Sequence, residues 1–198
     1  PYQKYFTPRL MGADAAAQTG MRRLGWFKRF VAANELARNF RNQEALSAYR
    51  ALIEEFPEEP QTHEAIGDLY IRLRNPVAAR QQFDEALRFS SKPSSPLWAK
   101  YGQVLSELGS KAEALMAYDQ SLRVNPLDPF AHLTHYHRGL VMTDLGDFNA
   151  ALAAFGKAGK LSPPFVEPHL NAAAVLIHLN RFDEARTELA QVLKLDPK

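Results

Sequence analysis

Cysteine is absent from this 198-residue chain, so no disulfide framework, thiolate nucleophile or cysteine zinc site can be built from it, and the redox compartment stays open. Long apolar runs are also missing: none approaches the ~20 residues that cross a bilayer. The N-terminus lacks the charged start and apolar stretch of a signal peptide, and because the chain begins at Pro1 an upstream targeting or anchoring segment is left open. The expected placement is a soluble one, cytoplasmic by default, with periplasmic or membrane-peripheral placement as the alternatives. The ten glycines are scattered singly rather than gathered into a phosphate-cradling loop, and no Gly-x-Ser-x-Gly, His-Glu-x-x-His or Walker-type segment occurs. No catalytic residue, cofactor or metal ion is expected, and any chemistry of an intact protein would belong to a domain outside this chain.

What is there is ordinary in bulk and uneven in detail. An apolar content of 46% with 23% charge excludes a chain disordered throughout. The net charge of +2 hides an asymmetry: residues 1–50 hold nine Lys or Arg against three Asp or Glu, and the rest hold 15 against 19. A basic end and an acidic body face different surroundings.

Self-similarity is the strongest signal. Aligning "RNQEALSAYRALIEEFP", "NPVAARQQFDEALRFSS", "SKAEALMAYDQSLRVNP", "GDFNAALAAFGKAGKLSP" and "NRFDEARTELAQVLKLDP" brings Ala45, Ala79, Ala114, Ala151 and Ala185 into one column. Four residues on stand Tyr49, Phe83, Tyr118, Phe155 and Leu189, so a small and a large residue share one helical face. Upstream of each lies another helix with a small residue in its interior: Ala33, Gly67, Gly102, Gly139 and Ala173. Glycine costs a helix interior ~1 kcal/mol against alanine, and close approach of the partner helix accounts for it. Gly109, Gly146 and Asn180 suit the left-handed geometry of a helix stop between the paired helices. Pro57, Pro126, Pro163 and Pro197 close the units, and Glu59-Pro60, Ser95-Pro96, Asp128-Pro129 and Glu167-Pro168 open the next first helix. In the fourth unit this predicts a first helix three residues longer, starting at Asp128-Pro129, with Arg138 where an apolar residue is expected and the groove locally distorted.

These columns resemble the tetratricopeptide repeat family, whose pattern places a Trp, Leu-Gly and Tyr on a first helix, then Ala and Phe on a second, then Pro, every ~34 residues. The match covers five units, at residues 26–59, 60–94, 95–128, 129–165 and 166–198, and leaves residues 1–25 as a basic arm or capping segment. The resemblance implies an all-α fold, a right-handed α-solenoid of stacked antiparallel helix pairs, whose first helices line a concave face. It implies a non-catalytic scaffold that binds a protein or peptide partner there. Carried over by register, the groove residues are Asn34, Arg38, Glu64, Asp68, Arg72, Lys100, Gln103, Tyr136, Leu140, Leu170, Asn171, Ala174 and His178. That groove changes from polar and charged to aromatic and aliphatic, as would suit an amphipathic helix or an extended peptide with an apolar end. The family's two-carboxylate clamp is not expected: only Asn34 matches it, with Phe30 and Ala65 where a Lys and an Asn should stand.

Two alternatives use other surfaces. One is a structural subunit of a larger, membrane-associated assembly, touching neighbours through its ends and N-terminal arm. The other is a regulatory region of an enzyme. For the first, "MRRLGWFKRF" mixes Arg22, Arg23, Lys28 and Arg29 with Leu24, Trp26, Phe27 and Phe30, a composition able to lie on an anionic membrane, so peripheral contact through residues 1–30 is one expectation and packing of the aromatics within the first unit is the other. At the far end Leu189 and Val192 are left partly uncovered, which offers self-association through the last helix. Nucleic acid is not expected, because no basic stripe continues along the acidic body. His132-x2-His135-x-His137 is not expected to bind metal, since His137 sits about 140° round the helix from His132, and His63, His135 and His169 share the packing column of Trp98.

Overall fold

The computed structural model describes residues 7–197, with side chains from residue 17 onward. Ten helices form among them: α1 (Thr7–Arg38), α2 (Asn42–Glu55), α3 (Pro60–Arg72), α4 (Pro76–Phe89), α5 (Ser95–Glu107), α6 (Lys111–Val124), α7 (Ala131–Asp144), α8 (Phe148–Leu161), α9 (Val166–His178) and α10 (Phe182–Leu195). They fall into two compact units, Pro1–Ser90 with α1 to α4 and Ser91–Lys198 with α5 to α10. Residues 1–6 of the expected arm lie outside the described residues, and α1 runs unbroken through the expected boundary at residue 25.

Each pair is closed by the same stop. The second residue after every first helix has positive φ: Phe40 at 57°, Arg74 and Asn180 at 58°, Gly109 and Gly146 at 79°. The next amide then reaches back to the carbonyl five residues earlier, as Arg41 to Leu36, Asn75 to Tyr70, Ser110 to Leu105, Asp147 to Met142 and Arg181 to Leu176, at 2.8–3.0 Å. This is the Schellman closure, which satisfies otherwise orphaned carbonyls. Glycine or asparagine marks it at three turns, while Phe40 and Arg74 adopt it against their Cβ and carry no such signal. Arg74→Gly is therefore expected to stabilise by about 0.5–1 kcal/mol, the left-handed penalty being offset in part by the greater unfolded-state freedom of glycine. A lower urea midpoint for that variant would contradict it. Two second helices start on side-chain caps: Asn75 Oδ1 accepts from the Ala78 amide at 3.1 Å and Asp147 Oδ1 from Ala150 at 3.2 Å, whereas Ser110 before α6 makes no such bond.

Packing inside each pair follows one offset. Tyr49, Phe83, Tyr118 and Phe155 are fully buried, and each stands at the same sequence distance beyond Ala33, Gly67, Gly102 or Gly139. A Cβ on Gly67 would lie 2.5 Å from Phe83 Cε1, one on Gly102 2.7 Å from Tyr118 Cε1, and one on Gly139 2.6 Å from Phe155 Cε1. The space vacated by the missing side chain is filled by the aromatic ring of the partner helix.

The fourth pair corrects the sequence reading in two places. α7 begins at Ala131, not at Asp128-Pro129, and has 14 residues against 13 in α3, α5 and α9. Asp128 Oδ1 accepts from the Phe130 amide at 2.9 Å, and this local bond holds the extra residues in a turn instead of a helix. Arg138 is not an unmatched charge in that column: its Nε donates to Asp119 on α6 at 2.7 Å, replacing apolar contact there by an ion pair.

Candidate partner-binding surfaces

In the unit Pro1–Ser90, the expected groove residues gather around one hydroxyl. Tyr49 donates to Asn34 Oδ1 at 2.6 Å. Burial pushes the Tyr49 phenol up, while Arg72 and Arg38 pull it down and Asp68 raises it, so the charges of α1 and α3 converge on its edge. Arg72 is already engaged, donating to the Ala37 carbonyl near the end of α1 with its guanidinium 5.8 Å from the Phe40 ring. Glu64 stands one turn before Asp68 on α3, and both are half-buried. This surface is polar and bound up in its own contacts, and Arg38 lies exposed at its edge.

The unit Ser91–Lys198 is differently made, with α7 as a ridge between two clefts. The first, of about 220 Å³, lies between α5 and α7. Its walls are Pro96, Ala99, Lys100 and Gln103 on one side and Phe130, Leu133, Thr134 and His137 on the other, with Tyr118 at the floor. Phe130 is 63% exposed and Leu133 36%, although both are large and apolar. His137 stacks on Tyr118, centroids 6.4 Å apart, and burial lowers its pKa against the opposing pull of Glu107. The second cleft, of about 230 Å³, lies beyond α7 and is lined by Thr143, Phe148, Asn171, Ala174, Val175 and His178. His178 lies 4.7 Å from the Phe148 ring.

The expected apolar groove residues divide accordingly. Tyr136 is half-buried, its ring 5.0 Å from Phe165 and 6.0 Å from Phe155, and its hydroxyl accepts from Asn171 Nδ2 at 3.2 Å. Leu140 packs against the core of α8 and α9. These two form the ridge, whereas Leu170, 44% exposed, and Ala174 are open. Gln103 and Lys100 fall in the first cleft, Gln103 donating to Glu107 at 3.1 Å. Register misses Phe130, Leu133 and His137. Leu133 lies two helical turns before Leu140 on the same stripe, which is the signal that could have found it; Phe130 sits outside the helix and has none.

The histidines stand apart from one another in role. His132 Nδ1 lies 3.1 Å from the Pro129 carbonyl, His63 bonds Gln82 and Pro57, and His169 bonds Glu188 at 2.7 Å.

The same repeat is found by comparison along most of the chain. Models described as tetratricopeptide repeat match residues 30–96, 95–126 and 142–198. The chain belongs to the tetratricopeptide repeat family. A curated relative, the tetratricopeptide repeat and J domain-containing co-chaperone DNJ1 of Cryptococcus neoformans var. grubii, is 32% identical over 101 residues, half of this chain. The chain spans only 19% of that relative's length. The fold matches the crystal structure of MamA with a TM-score of 0.80 at 17% identity, covering 87% of this chain and 92% of that one. It also matches YrrB, described as a tetratricopeptide protein with an unusual peptide-binding site, with a TM-score of 0.76 at 20% identity and 86% of each chain. The fold is thus an all-α solenoid of helix pairs, and its general role is that of a protein–protein interaction scaffold of the tetratricopeptide kind. Among the described residues no helix is long and apolar enough to cross a membrane.

Proposed function

We propose that this tetratricopeptide chain is a non-catalytic scaffold that holds a segment of a partner protein across α7, with apolar side chains of that segment seated in the two flanking clefts. The observation that carries this is the exposure of Phe130 and Leu133 at the mouth of the first cleft, apolar surface that packing leaves open beside a polar rim of Lys100 and Gln103. Peptide binding by the structurally similar YrrB supports the same use of the fold. Peptides selected from a random displayed library against the full chain are expected to lose at least tenfold in affinity on Leu133→Glu, which places a charge in the cleft mouth. Helicity should be unchanged, and Val124→Glu, exposed at the end of α6, should leave binding intact. Selected peptides that bind the Leu133→Glu variant equally well would refute this site.

A second reading rests on α10. Phe182, Leu189 and Leu193 form an exposed apolar stripe, at 57%, 39% and 64%. They occupy the columns of Phe148, Phe155 and Gly159 in α8, against which α9 packs. Self-association through this face predicts a concentration-dependent dimer by analytical ultracentrifugation that Leu193→Glu returns to monomer; a wild-type chain that is monomeric throughout would dispose of it.

A further inference from the structure

α1 carries apolar residues on two faces, and its own unit covers one of them. Trp26, Ala33 and Ala37 are buried against α2 and α3, with Trp26 Nε1 donating to Thr62 at 3.0 Å. Leu24, Phe27 and Val31, spaced three and four apart, share another face and are 53%, 54% and 39% exposed, and Met21 at 65% extends the exposed apolar surface by a turn. A helix that is apolar on both sides is patterned to be covered on both.

The charges around that stripe are mainly basic, with the exposed Glu35 one turn beyond Val31 as the acidic residue at its inner end. Between Ala17 and Asn34 there is no Asp or Glu, and Arg22, Arg23, Lys28 and Arg29 are all exposed. Arg29 is tied to Glu55, and Arg22 lies over the Phe56 ring at 5.5 Å. Arg23 and Lys28 make no ion pair among the described residues and flank the stripe on opposite sides, each about 70° round the helix from it. In α3 the column that meets the pair before it holds Thr62, bonded by Trp26. In α1 the same column, one repeat earlier, holds the exposed Lys28, a costly residue to bury against a further helix pair. A second copy is disfavoured as well, since two such faces would juxtapose cations.

We propose that this face of α1 docks on an anionic lipid surface, with Leu24, Phe27 and Val31 entering the headgroup boundary while Arg23 and Lys28 reach the lipid phosphates on either side. Cations beside an apolar stripe lower their cost at such an interface by extending their aliphatic stems along it. The test is flotation of the full chain with vesicles of phosphatidylcholine alone and of phosphatidylcholine and phosphatidylglycerol in equal parts. Binding is expected to the second and not the first, and to fall with added salt. Arg23→Gln with Lys28→Gln should reduce partitioning about thirtyfold, and Leu24→Ser with Phe27→Ser at least tenfold. All four side chains are exposed, so far-UV helicity should stay that of the parent. Equal binding to both vesicles, none to either, or undiminished binding by the variants would overturn the proposal, as would capture of polyglutamate by the same stripe with the anionic vesicles ignored.

Discussion

Phe155→Ala is expected to cost the unit Ser91–Lys198 about 3–5 kcal/mol, because a fully buried ring leaves a cavity that two helices cannot close. The ring fills the space over Gly139, and Tyr136 leans on it at 6.0 Å, so the ridge between the two clefts should loosen with the core. The reverse change, Gly139→Ala, gains about 1 kcal/mol of helix propensity but sets a methyl 2.6 Å from a ring with nowhere to go, for a net cost of about 1–3 kcal/mol. The last pair uses another solution at the same offset, Ala173 with Leu189. Gly139→Ala combined with Phe155→Leu should therefore cost less than the two single changes added together, by about 0.5–3 kcal/mol. Stacked repeats need not unfold in one step, so the urea midpoint should be read beside hydrogen exchange in α7 and α8, where the loss is expected to concentrate. Strict additivity in the cycle would show that ring and glycine do not share one space.

The same columns explain why the helix pairs are legible without coordinates. A small residue in one helix and a large one at a fixed offset in the next are a packing rule repeated in every unit, and a turn with Gly109, Gly146 or Asn180 announces itself through backbone freedom. The features that escape have no such one-residue signature. Phe40 and Arg74 take the left-handed conformation because the Schellman bonds that close the helix require it, and those bonds override the preference of the single residue. The start of α7 is misread because Asp128-Pro129 looks like a helix opening until the Asp128 carboxylate is seen to hold the Phe130 amide in a turn. Arg138 reads as a defect until Asp119, on a different helix, is brought beside it.

For the candidate site, register supplies the face but not the depth. It names Tyr136 and Leu140 as groove positions, and both do lie on α7 between the clefts. How far a side chain sinks depends on neighbours such as Phe165 and Asn171, which come from the next pair and cannot be placed by counting along one helix. Phe130 is the reverse case, a turn residue outside the helical register that the Asp128 turn carries to the cleft mouth. By register alone the polar half is a row of free groove side chains. In the structure Asn34 and Arg72 complete hydrogen bonds within their own unit, which makes that half a built surface with Arg38 exposed at its edge.

Acidification from pH 7 toward 4 is expected to remove about 2 kcal/mol from the unit Ser91–Lys198, through His135. Its pKa is pushed down to about 4, first by burial, then by Lys157 and Arg138, with Asp119 opposing. The internal repeat shows why this histidine is the vulnerable one. At a common offset on the second helix, His63 meets Gln82 and His169 meets Glu188, each bonded to the Nδ1 of its histidine. At that same offset from His135 stands Ala154, and the buried His135 Nδ1 has no hydrogen-bond partner among the described residues. Because the folded value lies below the ordinary 6.5, the unfolded chain binds the proton first. The stabilising difference is complete above about pH 6.5 and is lost as pH falls toward 4. The full shift would correspond to roughly 3 kcal/mol, and partial exposure of the ring reduces it. His137, lowered by burial in the same direction, steepens the trend. Urea midpoints between pH 8 and pH 4.5 should fall with a slope that His135→Leu flattens, and the variant should gain stability at acid pH by removing the unpaired nitrogen, in a column where Trp98 shows that a bulky apolar group fits. An unchanged slope in His135→Leu would assign the acid sensitivity elsewhere.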